Sequence, residues 1–180
     1  MGSEMKALPR MLLAAVAVGV VVSGGVFVAQ ANQATTSDKQ PSSVERNAYP
    51  GKARIEAEDN VKLIAGDGHI VYVDCSTPQS GALGLIEVHS SDATVGKNKD
   101  GVVCFKVTGN RGYVTLALPD VFEIRGDGRQ AGAGHKGTAE VVSEAGERKT
   151  VNLNPNGSAQ VGVGEPGGKP STLVRLEITG

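Results

Sequence analysis

Three histidines, His69, His89 and His135, are the natural acid–base groups of the chain, and Ser80, Ser90, Ser91 and Ser158 are its candidate nucleophiles. Serine hydrolysis needs a nucleophile, a base and an orienting acid within hydrogen-bond reach of one another. None of these serines sits in a G-x-S-x-G elbow or another recognisable nucleophile setting. His69 follows a turn, His89 closes an apolar run and His135 lies among glycines. Solvated histidines at strand ends are the simpler reading. A hydrolase site built from loops, or a hydrolase accessory domain, would require two or more of His69, His89, Asp92 and Ser80 to converge.

Acidic residues gather at Glu56, Glu58 and Asp59, with Asp67 following. Calcium takes six or more oxygen ligands, and neither an EF-hand loop nor an H-E-x-x-H helix is present, so a solvated acidic strand start is expected. No pattern calls for a metal or a cofactor. Arg125-Gly126-Asp127 is the tripeptide that adhesion receptors read, and it makes this loop a candidate recognition site. It also stands at the end of an alternating run, before the turn signal Asp127-Gly128 and a glycine-rich stretch to Gly137. Asn156-Gly157-Ser158 fits the N-glycosylation acceptor pattern and equally a tight turn.

The chain has two cysteines, Cys75 and Cys104, with neither C-x-x-C nor clustered histidines beside them. A disulfide is the expected state. It would close a loop worth roughly 3–4 kcal/mol of chain entropy. Cys104 alternates with Val103 and Phe105, so the bridge is expected to pin a strand end or loop rather than cross the core.

The elements that would position these residues are short and extended. After Arg54, apolar runs recur every eight to twelve residues: VKLIA, HIVYVDC, LGLIEVH, VVCFKVT, YVTLALP, VFEIR, TAEVVS, KTVNLN, SAQVGVG and TLVRLEIT. Gly, Asn, Asp and Pro separate them, and no long stretch has apolar residues three and four apart. The expected fold class is all-β: one antiparallel sandwich, Ig-like or jelly-roll-like, of about eight to ten strands over residues 55–180. Alternation places Phe122 and Ile124 on one face of their run, and Val174, Leu176 and Ile178 on one face of theirs. Pro119-Asp120 breaks what would otherwise be one long strand.

Upstream, Lys6 and Arg10 flank the apolar run Met11–Val22, and Ala29-Gln30-Ala31 fits a signal-peptidase site. Residues 1–31 therefore read as a signal peptide, with an uncleaved membrane anchor as the alternative. Residues 32–54, polar and broken by Pro41 and Pro50, read as a disordered linker. Export into an oxidising compartment, secreted or at the outer face of the membrane, agrees with the paired cysteines.

The formal net charge of −1 and the absence of Trp disfavour nucleic acid as a partner. Carbohydrate stacking has little to use, because Tyr72, Phe105, Tyr113 and Phe122 all fall in strands and are expected in the core. The leading expectation is a non-enzymatic secreted or envelope-associated module of bacterial type that binds a protein or envelope component. It would use sheet edges or the loops Ser76–Leu83, His89–Asp100 and Gly126–Gly137. A secreted protease inhibitor presenting the segment after Cys75 is a further alternative.

Overall fold

A computed structural model describes residues 47–180. The expected signal segment and the first part of the linker lie outside the described residues. The ten apolar runs all contribute to strands: β1 (Lys62–Gly66), β2 (Ile70–Val73), β3 (Ile86–Ser90), β4 (Val102–Val107), β5 (Gly112–Leu118), β6 (Val121–Arg125), β7 (Gly137–Ser143), β8 (Arg148–Asn152), β9 (Ser158–Gln160) and β10 (Ser171–Ile178). They form two five-stranded antiparallel sheets, ordered β1-β5-β10-β7-β8 and β2-β4-β3-β6-β9, the arrangement of an all-β sandwich. We call them sheets A and B.

Period-two burial explains the core. Leu63, Val114, Leu116, Leu118, Ala139, Val141, Leu173, Leu176 and Ile178 belong to the buried face of sheet A. Ile70, Ile86, Val88, Val103, Phe105 and Ile124 belong to that of sheet B. Each fully buried aliphatic side chain of this kind contributes about 1.5–3 kcal/mol relative to exposure, so a core with one phenylalanine and no tryptophan suffices.

Pro119-Asp120 does break the chain between β5 and β6, and the break is the passage from sheet A to sheet B. Asp120 takes a positive φ of 52° there.

Two expectations need correction. Residues 47–54, read as part of the linker, are ordered. Tyr49 is buried, Ala48 bridges Ala65, and Lys52–Asp59 forms a helix, α1. The reason lies in the partners rather than the local pattern. Ile55 and Tyr49 are among the few large apolar groups here, and both join the core. Strict alternation also fails at three places where the register slips by one: Leu63/Ala65, His89/Ser90 and Leu173/Arg175. At the second, Val121 pairs with Ser90 and Glu123 with His89, which leaves Phe122 as the extra residue of a bulge. Phe122 therefore does not share the buried face of Ile124; its ring lies 6.0 Å from that of His89. Val174 likewise stands outside the buried set of Leu173, Leu176 and Ile178.

Candidate functional site

Cys75 and Cys104 form the expected disulfide, with Cα atoms 5.2 Å apart. Cys75 lies just beyond β2, and Cys104 lies within β4 opposite Glu87. Its neighbours Val103 and Phe105 point into the core, so the bridge sits on the outer face of sheet B. Cys104 is nevertheless fully buried. The chain after Cys75 turns at Asp74, whose Oδ1 accepts the Ser76 N–H at 2.8 Å and the Ser76 hydroxyl at 2.7 Å. Those bonds hold the Asp74 carboxyl below its ordinary range.

The loop that follows is fastened to another. Arg129 Nη1 donates to the carbonyls of Gln79 (3.3 Å) and Gly81 (3.4 Å). Gly84 N–H donates to Asp127 O at 2.6 Å, and Arg129 N–H to Ala82 O at 2.8 Å. Leu83 bridges Gly128. A third segment joins through Gly126 N–H to Gly157 O (2.9 Å), Gly128 N–H to Pro155 O (2.7 Å) and Asn156 Nδ2 to Gln130 O (3.2 Å). Two of the expected contact loops, Ser76–Leu83 and Gly126–Gly137, thus converge at one end of the sandwich with the 154–157 turn. Between them lies a hollow of about 350 Å³ lined by Gln79, Glu87, Arg125, Asp127, Arg129 and Asn156 among others. Leu83, in the first of these loops, is 44% exposed and lines a separate hollow with Thr77, Pro78 and Ser80. The third expected loop, His89–Asp100, is elsewhere. Ser91 N–H donates to Asp120 O and Gly96 N–H to Asp59 O, which fix it near the β5–β6 passage and α1.

The Arg-Gly-Asp tripeptide is divided by this packing. The Arg125 side chain is 58% exposed, 3.7 Å from Glu87 Oε2. Gly126 lies against the 154–157 turn, where a Cβ would collide with the carbonyl oxygens of Asn154 and Pro155. The Asp127 side chain is 2% exposed. Its Oδ1 accepts the His135 N–H at 2.8 Å, and its Oδ2 lies 2.6 Å from His135 Nδ1. The carboxylate is committed to its own loop, and in this conformation it presents nothing to a receptor.

The remaining candidate groups scatter. His69 lies at the β1–β2 turn, 3.6 Å from Asp67 Oδ2. Burial pushes the Asp67 carboxyl up, but N–H bonds from His69 and Tyr113 and the nearby His69 ring outweigh it, and the acid sits below its ordinary range. His89 is on the outer face of sheet B, with its buried Nε2 3.6 Å from Glu87 and without a hydrogen-bond partner. Beside it Glu123 accepts from Gln160 Nε2 and Ser158 Oγ, both at 2.8 Å. These bonds hold its carboxyl below the usual glutamate range, with His89 and Arg125 adding to the effect against modest desolvation. Ser90 and Ser91 bond to the carbonyls of Pro119 and Asp120, and Asp92 to Thr94. His69, His89 and His135 each meet a different acid, so they do not form one constellation.

The acidic cluster divides in the same way. Glu58 pairs with Arg54 at 2.7 Å, and Asp59 accepts the Tyr72 hydroxyl at 3.0 Å. Among the described residues no three His, Cys, Asp or Glu side chains come together in a metal-holding group. The aromatics correct one expectation: Phe105 is core and Tyr72 packs against it, but Tyr113 is outside, its ring 4.3 Å below the Arg175 guanidinium. Gln79 and Leu83 fall within the expected contact loop Ser76–Leu83; what sequence reasoning missed is the tie from Arg129. Its one signal is a lone arginine inside a glycine loop, which carries no partner information. Neither a family model nor a curated protein matches the chain.

Proposed function

We propose that the protein is a non-enzymatic secreted or envelope-associated sandwich domain that binds a protein or envelope component through the fastened loop cluster. The carrying observation is that Arg129 locks Ser76–Leu83 to Gly126–Gly137 while Leu83 and Arg125 stay exposed. A surface ordered before contact loses little conformational entropy on binding. The disulfide suits an oxidising compartment, which supports placing the domain outside the cytoplasm. Among the described residues no helix is long and apolar enough to cross a membrane. The test is affinity capture from the producing cell's envelope and medium, with the parent protein and Leu83→Asp as parallel baits. The expected result is a species retained by the parent and lost with Leu83→Asp; equal capture by both baits counts against the cluster.

A second reading, protease inhibition, is favoured by one detail. The Arg129 bonds to Gln79 O and Gly81 O flank Ser80, which is exposed five residues after the disulfide. Support from behind is what a substrate-like loop needs to resist cleavage. Titrating a panel of secreted proteases with the purified protein tests it: stoichiometric loss of activity is expected, and cleavage after Gln79 or Ser80 without inhibition refutes it.

A further inference from the structure

Four strands end the two sheets, and the chain treats them differently. Beside β1 runs the 47–49 segment: Tyr49 N–H donates to Ile64 O at 3.1 Å and Gly66 N–H to Asn47 O at 2.8 Å. On β2 the Tyr72 N–H is capped by the Tyr49 hydroxyl at 2.6 Å. Strand β9 is three residues long. Strand β8 has no such cover among the described residues, and four of its five residues are exposed.

Pairing with β7 fixes which groups of β8 are free. Ser143 N–H donates to Glu147 O and Leu153 N–H to Gly137 O, each at 2.9 Å, and the register between them is unbroken. The alternation of an antiparallel ladder then turns the N–H and C=O of Arg148, Thr150 and Asn152 away from β7. No proline or bulge blunts this edge, and its cations are already neutralised: Arg148 bonds Glu140, and Lys149 reaches Glu165.

We propose that β8 is a homotypic pairing edge, through which two copies of the chain join antiparallel about a two-fold axis at Thr150. This would merge their A sheets into one continuous sheet. The strand complements itself in that register. Thr150 meets Thr150, a favourable cross-strand pair, and Arg148 of each copy faces Asn152 of the other. All three outward residues find backbone partners. An axis on Arg148 or Lys149 would place Asn152 opposite the turn between β7 and β8. An axis on Val151 would place Arg148 opposite a residue beyond the strand. An isologous contact of this kind closes as a dimer and does not propagate. The edge is short against the ~1,600 Å² of a standard interface. Pairing is therefore expected in the upper micromolar range, favoured where chains are held on one surface.

The proposal is independent of the loop cluster, and sedimentation of the purified protein from about 10 µM to about 1 mM tests it. Concentration-dependent dimer is expected for the parent and for Thr150→Val. Thr150→Pro should weaken dimerisation at least tenfold, because it deletes an outward N–H while leaving the bonds to β7 intact. Should that variant misfold, mild oxidation of two others decides. A directly opposed hydrogen-bonded pair has Cα atoms ~5.5 Å apart, within disulfide range. Thr150→Cys should therefore cross-link into dimers, while Asn152→Cys, four residues from its own copy, should not. A parent that stays monomeric throughout overturns the proposal. So do dimers indifferent to a folded Thr150→Pro, or equal cross-linking of both cysteine variants.

Discussion

Asp127 grips His135 with both carboxylate oxygens, one on the backbone N–H and one on ring Nδ1. The pair holds the two ends of the glycine-rich segment together where few side chains pack. An acid so deeply buried is tolerable only while both oxygens are satisfied. Asp127→Ala leaves the His135 N–H and ring nitrogen without their acceptor, and a loss of about 2–4 kcal/mol is expected from urea unfolding. Asp127→Asn should cost less, since its amide oxygen still accepts one bond. In a solid-phase adhesion assay Asp127→Glu and the parent should behave alike, because the carboxylate faces inward.

The Cys75–Cys104 bridge joins the end of β2 to the middle of β4 on the outside of sheet B. It lies outside the main apolar cluster, so its contribution is chiefly to the unfolded chain. A sequence separation of 29 corresponds to about 3–4 kcal/mol in the loop-entropy model. Reduction should lower the urea midpoint accordingly and leave the circular-dichroism spectrum of the native state unchanged. The loop from Ser76 to Leu83 starts at this anchor, so its amides should exchange faster with solvent after reduction.

Glu123 links acid stability to the outer face of sheet B. Its folded carboxyl lies below the ordinary value because Gln160 and Ser158 donate to the ionised form. A depressed acid stabilises the fold fully above its unfolded pKa of about 4.3, and the contribution disappears as pH falls through the folded value. Glu123→Gln should therefore weaken the protein most at pH 6–7 and progressively less toward pH 3. Urea midpoints at four pH values check this, and parallel curves for the two proteins would contradict it.

The strands were legible because their chemistry is local: β-branched residues alternate, and Gly, Pro and Asp punctuate them. Leu116 and Leu118 on β5 show it, both buried on the face that alternation assigns. Bulges were not legible. An extra residue such as Phe122 is produced by pairing with β3, and nothing in VFEIR announces the partner. Helix α1 was missed for a related reason: it lacks an apolar stripe, and Ile55 gains its burial from the sandwich rather than from helical neighbours. The two-loop cluster was half legible. Turn residues marked both loops, but their union depends on Arg129 reaching Gln79 and Gly81, contacts fifty and forty-eight residues apart in sequence.

Glycine at position 126 separates two explanations of the tripeptide. A receptor motif uses glycine for conformational freedom, whereas here the demand is for space. The 154–157 turn packs directly on the Gly126 backbone, and Gly126 N–H donates to Gly157 O. Gly126→Ala must push that turn away, which should cost about 2–4 kcal/mol and loosen the hollow beside Arg125 and Asn156. Gly132 provides the contrast. It has a positive φ of 79° and nothing within 4 Å of a built Cβ. Gly132→Ala should cost only the left-handed backbone penalty of about 1 kcal/mol. Urea midpoints for the two variants should therefore differ clearly, with Gly126→Ala the weaker protein. Equal losses would mean that the turn is held less tightly than its hydrogen bonds imply.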